Sequence, residues 1–137
     1  MKLTQEQIEA AVAWWMDKLR VPKLDTLGPG RRGDDPAALA EMMAAMAPRP
    51  DAECIAAFGV ALKAALEQWE GYDPCILAVD YHPGPLLAKA AEEAGLDPSD
   101  ITLFPWKTCM WLRNDGSVTV RYGYGAPEKT ILAGSHS

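Results

Sequence analysis

Residues 101–126, ITLFPWKTCMWLRNDGSVTVRYGYGA, decide how the rest of the chain is read. Asn114-Asp115-Gly116 separates two runs rich in β-branched and aromatic residues, the strongest short-range hairpin signal a sequence offers. Side-chain parity then sets the loop length. A two-residue loop at Asp115-Gly116 pairs Trp111 with Val120 and leaves Met110 opposite Arg121. A three-residue loop pairs Leu112 with Val118 and Met110 with Val120, which gathers the apolar side chains, Tyr122 among them, on one face. That register asks for a left-handed Gly116, which costs glycine nothing sterically. The opposite face then carries Cys109, Trp111, Arg113, Ser117, Thr119 and Arg121.

With 137 residues, 49% apolar and 23% charged, the chain can bury a core and is expected to fold as a single domain over 1–132, with a disordered tail over 133–137. No apolar run approaches the roughly 20 residues of a spanning helix, so no membrane partner is expected. The N-terminus opens directly on an amphipathic pattern and not on a basic-then-apolar leader, which points to a cytoplasmic location. Three widely spaced cysteines, Cys54, Cys75 and Cys109, read as buried thiols in a reducing compartment and not as a disulfide framework.

The net charge of −6 is unevenly spread. Residues 51–100 hold ten acids against Lys63 and Lys89, while the remainder is slightly basic. Direct nucleic-acid binding is disfavoured for such a middle, and a basic protein surface suits it better. A plain solvated face accounts for the same charges.

Along the chain, Thr4-Gln5-Glu6-Gln7 has the form of a capping box. Ile8, Val12, Trp15 and Leu19 follow at helical spacing, and Pro22 stops the helix near Arg20. Trp14 lies off that stripe, either covered by another element or exposed. Residues 21–35 form a long loop whose glycines match no phosphate-binding spacing. The Arg32-Gly33-Asp34 tripeptide within it is read as coincidence. Asp35-Pro36 starts a short helix with a face of Leu39, Met42, Met43 and Met46. Asp51 caps the longest helix, with Ile55, Phe58, Leu62, Leu66 and Trp69 on one seam and Gly71 at its end. Cys75–Val79 reads as a buried strand. Leu86, Leu87, Ala90, Ala91 and Ala94 form a helix closed by Gly95, and after Pro127 the chain is expected to fray. This order gives an α+β domain: a small, mostly antiparallel sheet, built of the hairpin plus one central strand and covered by about four helices.

Two constellations bear on function. Asp80 and His82 sit where a strand ends and a helix begins, and a histidine beside a carboxylate can act as a general base. Lys107 and Tyr122 would complete such a catalytic set. No nucleophile motif, cofactor loop or metal-ligand spacing accompanies them, so neither cofactor nor metal is expected. The second constellation is a partner-binding face of Trp106, Trp111, Arg113, Arg121 and Tyr124, residue types enriched at binding hot spots. Core packing is the competing role for Phe104 and Trp106. Glu92 and Glu93 would supply the acidic side of the same contact.

FPWKTCMW followed by DGSVTVRYGYGAP, with TQEQIEAAVAWWMDKLR at the start, resembles small proteins of tailed phages and prophages. That resemblance implies a non-enzymatic inhibitor of a host macromolecule, such as an anti-CRISPR protein acting on a defence complex, with a basic protein or ribonucleoprotein as its partner. It carries over no functional residue. The alternative is a small enzyme or small-molecule binder with its site near Asp80 and His82.

Overall fold

A computed structural model of the protein describes residues 2–20, 49–100, 103–123 and 125–134. Helix α1 (Gln5–Arg20) begins at the expected capping box. The Gln7 N–H donates to Thr4 Oγ1 at 3.1 Å, and the Thr4 N–H donates to Gln7 Oε1 at 2.9 Å. Ile8, Ala11, Trp15 and Leu19 are buried on one face. At the other end, Arg49 caps the helix. Its guanidinium donates to the carbonyls of Leu19 at 3.0 Å and Lys18 at 3.4 Å, and to Leu103 at 2.9 Å, supplying the donors that terminal carbonyls lack.

Helix α2 (Ala52–Gln68) follows its N-cap Asp51, whose carboxylate accepts the Cys54 N–H at 2.8 Å. Ile55, Phe58, Leu62 and Leu66 form the buried seam. Each such side chain contributes roughly 1.5–3 kcal/mol by leaving water. Gly59 leaves room on this helix for the Met16 side chain of α1, since a Cβ there would strike the Met16 sulfur.

Strand β1 (Cys75–Val79) leads through a turn into helix α3 (Pro85–Glu93), which Gly95 closes with a φ of +80°. Strands β2 (Thr108–Leu112), β3 (Val118–Arg121) and β4 (Glu128–Leu132) complete a four-stranded antiparallel sheet in the order β1-β2-β3-β4. The hairpin takes the register that parity demands: Leu112 faces Val118, Met110 faces Val120, and Gly116 has a φ of +87°. The helices cover one side of the sheet, burying Leu77, Val79, Met110, Leu112, Val118 and Val120 in one cluster with the α1 and α2 seams. Among the described residues no helix is long and apolar enough to cross a membrane.

Three details differ from the sequence reading. The strand expected at the centre, Cys75–Val79, lies at the sheet edge and turns Ile76 to solvent at 50% exposure; a continuous apolar run does not report that one of its faces is uncovered. The segment expected to fray after Pro127 supplies β4 instead. Its EKTIL sequence is polar enough for a margin, and its stability comes from pairing with β3. The described residues contain three helices. The long loop, the helix expected from Asp35 with its methionine face, Tyr124 and the last residues of the tail lie outside them.

Gln7 ties the layers together. Its side chain is 1% exposed, and Nε2 donates to the carbonyls of Arg113 at 2.7 Å and Ser117 at 3.1 Å, the two residues that close the hairpin turn. Gln7→Leu would leave the Thr4 N–H without its acceptor and remove one of the two hydrogen bonds that each carbonyl accepts, at an expected cost of ~2–4 kcal/mol in urea denaturation. Thr4→Val should cost only ~1 kcal/mol, the usual value of a cap.

The Cys54 N–H holds the Asp51 carboxyl below its usual range. A depressed folded-state value means that the cap is fully stabilising above the unfolded-state pKa and is lost as pH falls through the folded one. Asp51→Asn keeps the acceptor and removes the titration. The melting temperature of the wild-type protein should therefore fall more steeply in acid than that of the variant, and parallel curves would contradict the assignment.

Candidate functional site

Among the described residues no helix covers the other side of the sheet. Register places Ile76, Trp111, Thr119 and Thr130 in one row across it, and Ala78, Cys109, Arg121 and Glu128 in the next. Trp111 is half-buried, and its ring lies 5.8 Å from the Arg113 guanidinium and 6.0 Å from that of Arg121, within cation–π range of both. Glu128 organises the polar end. It accepts from Arg113 Nη2 at 2.9 Å and from Thr119 Oγ1 at 2.8 Å. The Thr119 hydroxyl and then Arg113 hold its carboxyl below the usual carboxylate range. Burial raises the Cys109 thiol despite the Arg121 charge, and burial alone pushes Cys75 up to about 11. Cys54, Cys75 and Cys109 are free thiols.

The turn that presents Arg113 is held from several sides. The Asn114 N–H donates to Asp73 Oδ1 at 2.9 Å, the Ser117 N–H to Asp115 Oδ1 at 2.9 Å, and the Gly116 N–H to the Arg113 carbonyl at 3.1 Å. Such local side-chain acceptors fix a turn that backbone pairing alone leaves loose.

The structure thus brings Trp111, Arg113 and Arg121 onto one surface and separates the other residues singled out in the sequence. Trp106 is 4% exposed and packs edge-on against Tyr81 at 5.3 Å, so the competing core role describes it better than an exposed anchor does. Glu92 and Glu93 are exposed at the end of α3, in the helical layer and on the other side of the sheet from Trp111. The aromatic–cationic face and this acidic pair therefore do not form one footprint.

The set Asp80, His82, Lys107 and Tyr122 does not converge. Asp80 and Lys107 form an ion pair, and the Lys107 N–H also donates to the Asp80 carbonyl at 2.8 Å. Lys107 holds a left-handed φ of +54°, and its ammonium lies 4.8 Å from the Tyr81 ring centre. Asp80 and Lys107 line an open depression of about 370 Å³ with Cys109 and Arg121. Tyr122 lines a different cleft, and His82 lies exposed outside both. The pair clasps the end of β1 to the start of β2. Among the described residues no group of three His, Cys, Asp or Glu side chains is placed to hold a metal ion.

No protein-family model matches the sequence, and no curated protein matches it. Among solved structures, the fold is similar to that of the BTG/Tob domain of C. elegans FOG-3, determined in a doubly substituted form. The TM-score is 0.52 at 18% identity over 96% of this chain and 92% of that one. At that identity the likeness shows the fold alone, an α+β arrangement similar to that of a BTG/Tob domain. It corrects the resemblance to phage and prophage proteins, because the neighbour is a nematode domain. The host-inhibitor and anti-CRISPR function implied by that resemblance falls with it.

Two substitutions on adjacent residues of β2 distinguish the faces. Met110 is fully buried, so Met110→Ala should cost ~2–5 kcal/mol. Trp111→Ala should cost ~1 kcal/mol, mostly its two guanidinium contacts. Denaturant midpoints in the reverse order would mean that Trp111 and not Met110 faces the core.

Proposed function

We propose that this is a protein-interaction domain that engages its partner through the open face of the sheet, with Trp111 as the anchor and Arg113 and Arg121 beside it. The observation that carries the reading is the placement of Trp111: a large ring on the helix-free face, held between two guanidinium groups that the core does not need. Tryptophan and arginine are the types that dominate binding energy at interfaces. Ile76, directly opposite Trp111 on β1, extends the apolar patch toward the sheet edge. The arginines favour carboxylates at the rim of the partner's footprint. A partner with a basic surface would instead meet the helical layer, where Glu92 and Glu93 lie.

The test is capture from a lysate with matched baits, followed by titration of whatever the wild-type domain retains. Trp111→Ala and Arg121→Ala should each weaken binding by ~2 kcal/mol or more, as truncated hot spots do. Glu92→Lys with Glu93→Lys should leave it within experimental error. A partner that ignores the first two variants and is lost with the double reversal would move the interface to the helices.

A further inference from the structure

Trp14 packs against the margin of the core without being buried in it. Its ring stands edge-on to Trp15 at 4.9 Å and to Tyr122 at 5.5 Å, and remains half-buried. Trp14 and Tyr122, together with Val120, Pro127 and Ile131, wall a cleft of about 340 Å³ between α1, the end of β3 and β4. That volume lies in the range of sites that hold a small ligand or a large side chain.

The charges around the cleft have one sign. Lys18 and Lys129 line it, and no acidic residue does among those described. Lys18 lies along the aromatic wall, its ammonium 4.3 Å from the Tyr122 ring centre and 5.2 Å from that of Trp14. Its side chain is 16% exposed, and its ion pair with Asp17 spans 3.6 Å to a carboxylate that itself points largely to solvent. A cation held over two rings and weakly neutralised is placed to receive an incoming carboxylate.

The position of the cleft narrows the kind of ligand further. β4 ends the sheet order, and among the described residues no strand pairs with its outer edge. Glu128, Lys129 and Thr130 are exposed along it. An extended segment laid against that edge can bond to free backbone groups and drop alternate side chains toward the cleft, the mode of β-strand addition. From these observations we infer that the cleft beside β4 binds an extended acidic segment of a partner protein, taking one large apolar side chain against Trp14, Tyr122 and Ile131 and placing flanking carboxylates at Lys18 and Lys129. This surface is separate from the Trp111 face and stands or falls independently of it.

The experiment is an amide and indole NMR titration of the full chain with a short acetylated, amidated peptide alternating glutamate and phenylalanine. Shifts should concentrate on the Trp14 indole, Lys129 and Ile131. The corresponding glutamine–phenylalanine peptide should bind about tenfold more weakly, the value of two exposed ion pairs, and so should the acidic peptide with the Lys18→Gln, Lys129→Gln variant. That variant leaves the aromatic wall in place, and its dispersed spectrum checks that it is folded. Equal binding of the glutamine peptide, shifts confined to Trp111 and Arg121, or no shifts at saturating peptide would each overturn the proposal. N-acetylphenylalanine as the free acid is the remaining arm. Binding as tight as that of the peptide would show that a small organic acid is enough, and would overturn the extended segment as ligand.

Discussion

The structure depends on one buried side chain amide. Gln7 receives the Thr4 N–H on its oxygen and gives both amide hydrogens to the carbonyls of Arg113 and Ser117. One polar group thereby completes the start of α1 and the neck of the β2–β3 hairpin. The two carbonyls belong to the residue pair that closes the turn, so the amide bonds to the hairpin only in one register. A slip of one residue would carry both carbonyls out of reach and reverse every side chain on the strand. Met110 and Leu112 would face water and Trp111 the core. The open face exists as a surface because Gln7 and the left-handed Gly116 fix the hairpin as it stands.

Much of this was legible in the sequence because it rests on local rules. The capping box, the Asp51 cap, the α2 seam and the three-residue turn each follow from a few adjacent residues whose polar groups or parity admit one solution. The second half of Gln7's role was not legible. Residues 106 and 110 positions away accept from it, and nothing local marks a capping glutamine for long-range use. The same limit hid β4. Its residues are ordinary for an exposed segment, and only the backbone groups offered by β3 make them a strand. The separation of Glu92 and Glu93 from Trp111 is likewise a property of the layers, since α3 lies in the helical layer while Trp111 projects from the other face of the sheet. Trp106, beside the hairpin and rich in hot-spot chemistry, is buried, with Tyr81 edge-on against it at 5.3 Å beside the Asp80–Lys107 clasp.

The charge asymmetry acquires a geometry from these layers. Acids of the middle segment, Glu53, Glu67, Glu92 and Glu93, occupy α2 and α3, while Arg113 and Arg121 stand on the far side of the sheet. The molecule therefore has an acidic helical layer and an aromatic–cationic sheet face. A field arranged in this way orients an approaching charged partner before contact is made. A net charge of −6 summed over the chain conceals that polarity.

An antiparallel sheet with one uncovered face ordinarily turns polar side chains outward. Here the outward row grades from Ile76 and Trp111 at the β1 side to Thr119 and Thr130 at the β4 side. The polar half is self-satisfied, since Glu128 takes both the Thr119 hydroxyl and the Arg113 guanidinium. The apolar half has no such closure. The Arg113 and Arg121 guanidinium groups lie near the Trp111 ring, and guanidinium groups shield a ring from water less completely than aliphatic packing would. Nothing in the core would be lost if a smaller polar residue stood at that position, because Met110, Leu112 and the strands beside them bury the opposite face completely. On the proposed reading, a tryptophan that folding does not require at this position is available as the anchor of a contact with a partner.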